Sequence, residues 1–256
     1  MVDLHCHILP GLDDGAKNME DSLAMAEMAV ADGTTHLVAT PHSSNDYSFD
    51  FSVVRRLRDE LQEKIGDRLT LATGCDFHLN PENLATLRLD ARPFCINQRD
   101  YLLVEFNEFS IPPAMDHTLH DLQLAGLHPV ITHPERNSIL RTNPGRLANW
   151  ARHGCFAQVT AGSLLGYFGN GARRAAEQWI EQGCVHFVAS DGHNLTSRMP
   201  KLDEAFRAAA SMFGEEKANA LFNENPLAAF EGRPLPYIPE IADDSAPPKH
   251  KRFLFF

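Results

Sequence analysis

A single α/β domain arranged as a (β/α) barrel is the fold this sequence predicts, and three observations predict it. Seven short, almost wholly apolar runs read as strands of a parallel sheet covered on both faces. Helical periodicities fill the gaps between them, and strand–helix alternation with right-handed crossovers leaves a barrel or an open doubly wound sheet. Nearly every strand end carries a histidine or a carboxylate. An open sheet concentrates its site at one switch point, whereas a ring brings all strand ends to one rim.

The strand candidates, in order, are Val2–Leu4, His36–Ala39, Thr70–Thr73, Tyr101–Val104, Pro129–Thr132, Phe156–Thr160 and His186–Ala189. After the first, Asn18 is placed to cap a helix whose apolar face repeats at Leu23, Ala26 and Val30, with Asp21 in its first turn. Val54, Leu57, Leu61 and Ile65 repeat at three- and four-residue steps, as do Leu202, Phe206, Ala209 and Phe213. The stretch Ala172–Ile180 is Ala-rich with Trp179, a weaker helical signal. From Asn223 onward the prolines break the periodicity. The domain is therefore drawn over residues 1–240, with 241–256 a loose tail ending in a basic and then apolar tip, Lys249–Phe256.

The 256 residues, 43% hydrophobic, suffice for one sizeable core. No apolar run approaches the roughly 18 residues of a membrane span, and no signal-peptide pattern opens the chain, so a soluble cytoplasmic protein is expected. A formal charge of -11 disfavours nucleic acid as a partner. The five cysteines form no C-x-x-C pair, which points to neither a disulfide framework nor a structural zinc knot.

The chemistry sits at the strand ends. His5 and His7 are two apart, so on a strand both imidazoles face one way and Cys6 the other. Asp13 and Asp14 follow in a tight turn. His42 comes after Thr40-Pro41, Asp76 after Gly74-Cys75, and Glu105 ends Leu102-Leu103-Val104. A carboxylate ending an apolar strand is costly unless paired or metal-bound. His133 opens His133-Pro134-Glu135-Arg136, and Asp191 and His193 close the seventh strand. Taken singly, each could be a satisfied loop residue or a surface ion pair. Together they describe a multinuclear metal site, and metal-dependent hydrolysis is the first functional expectation. A cysteine phosphatase does not fit: no arginine lies in the ten residues after Cys6.

These segments resemble the polymerase and histidinol phosphatase (PHP) superfamily. Within it they are most similar to the bacterial manganese-dependent tyrosine-protein phosphatases of capsule and exopolysaccharide operons. The resemblance rests on His5-Cys6-His7-Ile8-Leu9-Pro10-Gly11-Leu12-Asp13-Asp14-Gly15, Ala39-Thr40-Pro41-His42, Glu105-Phe106, Thr132–Arg136 and Ala189–His193, and runs from Met1 to about Arg198. It implies a distorted seven-stranded (β/α) barrel with up to three divalent ions, manganese first, zinc or iron also compatible with the donor set. By motif position it implies His5, His7 and Asp191 on one metal, and Asp76 bridging to a second with Glu105 and His133. His42, His193 and a carboxylate of the 13–14 turn, Asp13 by spacing, would hold the third. Arg136 and Arg198 match the phosphate-binding arginines. The branch usually has a glutamate where this chain has Asp76, and His78 is an extra candidate outside the pattern. The implied partner is a phosphotyrosine protein, a bacterial tyrosine kinase; homo-oligomerisation stays open. Alternatives are a small-molecule phosphatase acting on a substrate such as histidinol phosphate, and a metal-poor regulatory barrel.

Overall fold

The computed structural model describes residues 1–107 and 109–241, so the tail expected over 241–256 lies outside the described residues beyond Ile241. Ile241 itself packs against the core.

Among the described residues nine strands form: β1 (Val2–Cys6), β2 (His36–Ala39), β3 (His42–Ser43), β4 (Thr70–Thr73), β5 (Asp76–His78), β6 (Tyr101–Glu105), β7 (His128–Thr132), β8 (Phe156–Thr160) and β9 (Phe187–Ala189). They make two parallel sheets, ordered β1-β2-β4 and β3-β5-β6-β7-β8-β9. The seven expected runs are all strands. The two additional ones arise because the second and third runs are each interrupted and then resume. Pro41 has no N–H for the ladder, and Gly74 lets the backbone pass Val38, where an added Cβ would lie 3.0 Å from its Cγ1.

The expected closed ring is therefore not a continuous ladder among the described residues. β1 meets the end of β9 through a single bridge, Cys6 to Gly192. There the Asp191 N–H donates to the His5 carbonyl at 2.9 Å, and the His7 N–H to that of Gly192 at 2.8 Å.

Helices Met19–Ala31, Phe51–Ile65, Gly169–Glu181 and Asp203–Phe213 lie on the expected segments. Asn18 Oδ1 accepts from the Asp21 N–H at 2.8 Å, as the sequence suggests. One expectation fails. Pro226 does not end helical structure but sits in the first turn of Asn225–Glu231, where a missing N–H costs nothing. The buried Asn225 carboxamide then ties the following segment down, donating to the carbonyls of His186 and Tyr237.

Strand alternation sorts the core. Val38, Ala72, Leu103, Val130 and Phe187 share one cluster, while Leu102, Val104, Ile131 and Val188 pack in another with helix side chains such as Trp179. Continuing the first set by an even number of residues along its strands reaches His42, Asp76, Glu105 and Asp191. These four residues continue the apolar side of their strands, whereas His5, His7 and His133 lie in odd register from Leu4 and Val130 and reach the mouth past the irregular pairing between Asp3 and Cys6 and the left-handed backbone of His133.

Candidate metal centre

The nine ligand candidates and both arginines converge on the C-terminal ends of the strands. Within each of three overlapping groups, one ligand atom per residue lies within 4.8 Å of the others: His5, His7 and Asp76; His42, Asp76 and Glu105; and His7, Asp14, His42 and His193. His133 Nε2 stands 3.6 Å from Glu105 Oε1 and 3.8 Å from Asp76 Oδ2. Asp191 Oδ1 is 3.4 Å from His5 Nε2 and 3.6 Å from His7 Nε2.

Three imidazoles are oriented by their Nδ1 atoms. His5 Nδ1 is 2.9 Å from Gln158 Oε1, and because Gln158 Nε2 already donates to the Val159 carbonyl, Oε1 is the acceptor. His7 Nδ1 bonds Asp13 Oδ2 at 2.7 Å, and His193 Nδ1 bonds the Asp191 carbonyl at 2.9 Å. A proton fixed on Nδ1 leaves the Nε2 lone pair for a cation. His5 Nε2 and His7 Nε2 face each other at 3.1 Å, which repels unless a proton or cation lies between them.

This geometry revises one expectation. Asp13 is occupied behind His7, also accepting from the N–H groups of Gly15 and His42 at 2.9 and 3.0 Å. Asp14 is the carboxylate that turns inward, with Oδ1 3.4 Å from His193 Nε2 and 3.6 Å from His42 Nε2. The turn is pressed onto the strand so tightly that a Cβ on Gly15 would lie 2.1 Å from the His7 carbonyl oxygen.

The residues fit divalent cations on a direct observation. Four buried ligand atoms have no hydrogen-bond partner: His42 Nδ1, Asp76 Oδ2, Glu105 Oε2 and His193 Nε2. Glu105 Oε2 does lie 2.6 Å from His78 Nε2, a close ion pair without hydrogen-bond alignment. Nitrogen and oxygen donors in this mixture suit first-row divalent ions.

The electrostatics agree. Burial lowers the His5 pKa, but Asp76 and Asp191 outweigh it and raise it to about 9. Burial, reinforced by His193, takes His7 down to about 4. Asp76 and Asp191 are held well below the usual carboxylate range. Burial opposes this in both, but His5 overcomes it, helped by His133 for Asp76 and by Arg136 and Arg198 for Asp191. A field that keeps buried carboxylates ionised and raises the His5 imidazole to its cationic form favours positive charge at this site.

Both arginines reach the same atom. Arg136 Nη1 donates to Asp191 Oδ2, and Arg198 Nη2 does so at 2.6 Å. His133 and Asp191 both have left-handed backbone, φ 31° and 52°, a strained conformation for non-glycine residues.

Sequence reasoning missed several supports. Gln158 is fully buried inside Phe-Ala-Gln-Val-Thr, and a lone amide in an apolar strand was a readable signal. Glu135 is fully buried, accepting from the Thr160 N–H and the Ser163 hydroxyl at 2.9 and 2.7 Å, which anchors the loop between His133 and Arg136. Asn194 Oδ1 gathers the N–H groups of Thr196, Ser197 and Arg198. Nothing in the sequence distinguishes that Asx cluster from an ordinary turn.

The sequence matches the capsular polysaccharide synthesis CpsB/CapC family over residues 1–231. The chain belongs to that family. It is 37% identical over 223 residues to the tyrosine-protein phosphatase YwqE of Bacillus subtilis, covering 84% of this chain and 86% of that one. It is 32% identical over 238 residues to the tyrosine-protein phosphatase CpsB of Streptococcus agalactiae, covering 88% and 96%. A solved structure from work on YwqE of Bacillus subtilis and CpsB of Streptococcus pneumoniae, described as unique metal-dependent tyrosine phosphatases, superposes with a TM-score of 0.87 at 34% identity. It covers 95% of this chain and 100% of that chain. The resemblance read from the motifs is borne out at the level of family. Among the described residues no helix is long and apolar enough to cross a membrane.

Proposed function

We propose that this chain is a divalent-metal-dependent protein-tyrosine phosphatase, and that its substrate is a tyrosine kinase of polysaccharide biosynthesis in the cytoplasm. The observation that carries the reading is the convergence of Arg136 and Arg198 on Asp191 Oδ2 at the edge of a ligand set with unpartnered buried atoms. Two guanidinium forks beside a cation cluster suit a phosphate dianion. The named activity of YwqE and CpsB supports the tyrosine class.

In this reading up to three ions, manganese first, would be held by His5, His7 and Asp191, by Asp76, Glu105 and His133, and by His42, His193 and Asp14. Asp76 Oδ2 lies 3.4 Å from both His5 Nε2 and His42 Nδ1, which supports a shared carboxylate. Bound divalent ions would supply an acidified water and charge against the phosphoryl oxygens. The chain's own part is to hold and orient. Gln158 and Asp13 fix two imidazoles, Glu135 anchors the loop that carries His133 and Arg136, and the arginines grip the equatorial oxygens. A phenolate leaves more readily than an alkoxide, which suits a site with no assigned proton donor. The two sheets are read as one distorted seven-stranded barrel, with β2–β3 and β4–β5 each a single interrupted strand.

The test is turnover by protein reconstituted with Mn²⁺ on a phosphotyrosine peptide beside histidinol phosphate. Preference for the peptide, abolished by a chelator, is the expected result. Preference for histidinol phosphate would move the protein to small-molecule chemistry.

A further inference from the structure

A crevice of about 210 Å³ opens beside Arg198, between the Tyr167–Phe168 turn and the 197–201 segment. Its walls are rigidly built. Gly166 and Gly169 bracket the two aromatics, each at φ +84°, a conformation that favours glycine. The turn is closed by bonds from the Tyr167 N–H to the Gly162 carbonyl at 2.9 Å and from Gly169 to Gly166 at 3.0 Å. The Phe168 ring lies under the Arg136 guanidinium, 4.4 Å from its centroid. Glu135 bonds Ser163 one turn earlier, so this wall and the Arg136 loop share an anchor. On the facing wall the Asn194 carboxamide fixes the backbone that presents Arg198 and Met199.

Tyr167 is nevertheless 57% exposed. A large ring held still in solvent offers contact area at low entropic cost to a partner. The crevice shares Arg198 with the mouth, so it adjoins the place where a phosphate held by the arginines would lie. Its polar groups are largely committed. Asp32 Oδ2 accepts from the N–H groups of Leu202 and Asp203, and Arg207 pairs with Asp203 at 2.6 Å. The apolar lining is Leu165, Tyr167, Phe168 and Met199, beside Lys201 and Glu204, and Glu204 accepts from the Tyr167 hydroxyl at 3.4 Å.

We infer that this crevice receives the polypeptide next to the phosphotyrosine and seats an apolar flanking side chain against Tyr167, Leu165 and Met199. The inference rests on the phosphatase reading and adds substrate selectivity to it. A free phosphomonoester would occupy the mouth and leave the crevice unused.

The experiment uses Mn²⁺-loaded full-length protein and synthetic phosphotyrosine peptides carrying leucine or glycine immediately before or after the phosphorylated residue. Aryl phosphate serves as the flank-free control. One apolar side chain in a pocket is worth on the order of 10-fold in kcat/KM. Wild type should prefer leucine by about that factor on one side, chiefly through KM. Tyr167→Ala should reduce the preference to about 2-fold and Tyr167→Phe should preserve it, because the ring and not the hydroxyl makes the wall. Equal rates for leucine and glycine peptides in wild type, or an undiminished preference in Tyr167→Ala, would overturn the inference while turnover of aryl phosphate left the phosphatase reading standing. Turnover of neither peptide nor aryl phosphate would overturn both.

Discussion

Histidines stand at both ends of the strands, and their surroundings differ in kind. At the N-terminal ends, His36 packs edge-on to Phe230, His128 against Tyr101, and His186 edge-on to Phe156. At the C-terminal ends, His5, His7, His42, His133 and His193 face carboxylates and one another. Burial is not the difference, since His186 and His5 are both buried. The difference is how many charged partners each meets: His128 has one exposed carboxylate nearby, Asp100 Oδ2 at 3.7 Å, whereas buried His5 has Asp76 and Asp191 both at 3.4 Å. An imidazole among aromatic rings acts as a packing element, and burial alone takes His186 down to about 4. An imidazole among carboxylates, as at His193 with its Nδ1 already fixed, holds an Nε2 with nothing to bond. The second arrangement costs stability unless a cation completes it, and it marks the end of the molecule proposed to bind metal.

The comparison breaks most completely at Asp76, the carboxylate nearest the centre of the mouth. Asp76→Ala should lose metal and activity together. Losing several kcal/mol of metal-derived stabilisation corresponds to a fall on the order of 10³-fold or more in kcat/KM. Metal content by mass spectrometry and kinetics on one preparation check this. A variant with wild-type metal content and rate would remove Asp76 from the ligand set.

A smaller effect separates gripping phosphate from binding metal. Arg136→Ala and Arg198→Ala should keep their metal and each lose about 10²-fold in kcat/KM, about 2.7 kcal/mol. Lysine should restore activity only in part, because a point charge cannot reproduce the planar fork. Because both guanidiniums contact Asp191 Oδ2, loss of metal in either variant would reassign them to supporting that ligand.

The arginines also mark how far the sequence could be read. Strand runs, most helices and the ligand types were legible because period-2 and period-3.6 patterns survive in one dimension. The carboxylate of the 13–14 turn was not. Adjacent aspartates on a turn differ only in where the backbone points them, and Gly15 sets that by its contact with the His7 carbonyl. Gln158 and Glu135 escaped for a related reason. Each acts on a residue distant in sequence, 153 positions away for Gln158 and His5. The interruption of β2 and β4 was foreshadowed by Pro41 and Gly74, but the division into two sheets depends on neighbouring strands.

The aromatic end sharpens the comparison through pH. His186 has a folded pKa of about 4 against an ordinary value of 6.5. Between these values the unfolded chain binds the proton more tightly, so the stability from neutral His186 is complete above pH 6.5 and is lost as pH falls toward 4. The full effect is on the order of 3 kcal/mol. Urea unfolding of wild type and His186→Phe across that range should give a difference that grows in wild type's favour with rising pH. A flat difference would mean that His186 titrates normally.

The smallest effect should come from Cys6, which lies between two buried ligand candidates, His5 and His7. Strand alternation turns its side chain into the cluster containing Leu37 and Ala39, away from His5 and His7. Burial pushes its thiol well above the usual range, and Asp3 and Asp191 push it further, so a nucleophilic thiolate is disfavoured. Its Sγ donates to the Gly192 carbonyl at 3.4 Å, and a serine hydroxyl could make the same bond. Cys6→Ser should therefore keep its metal and lose no more than about 3-fold in kcat/KM. Any stability cost should be about 1 kcal/mol, the scale of one exchanged buried hydrogen bond. The measurement is turnover of a phosphotyrosine peptide by metal-loaded protein whose fold is verified by thermal unfolding. A folded, fully loaded and inactive Cys6→Ser would place the chemistry on sulfur and refute a metal mechanism.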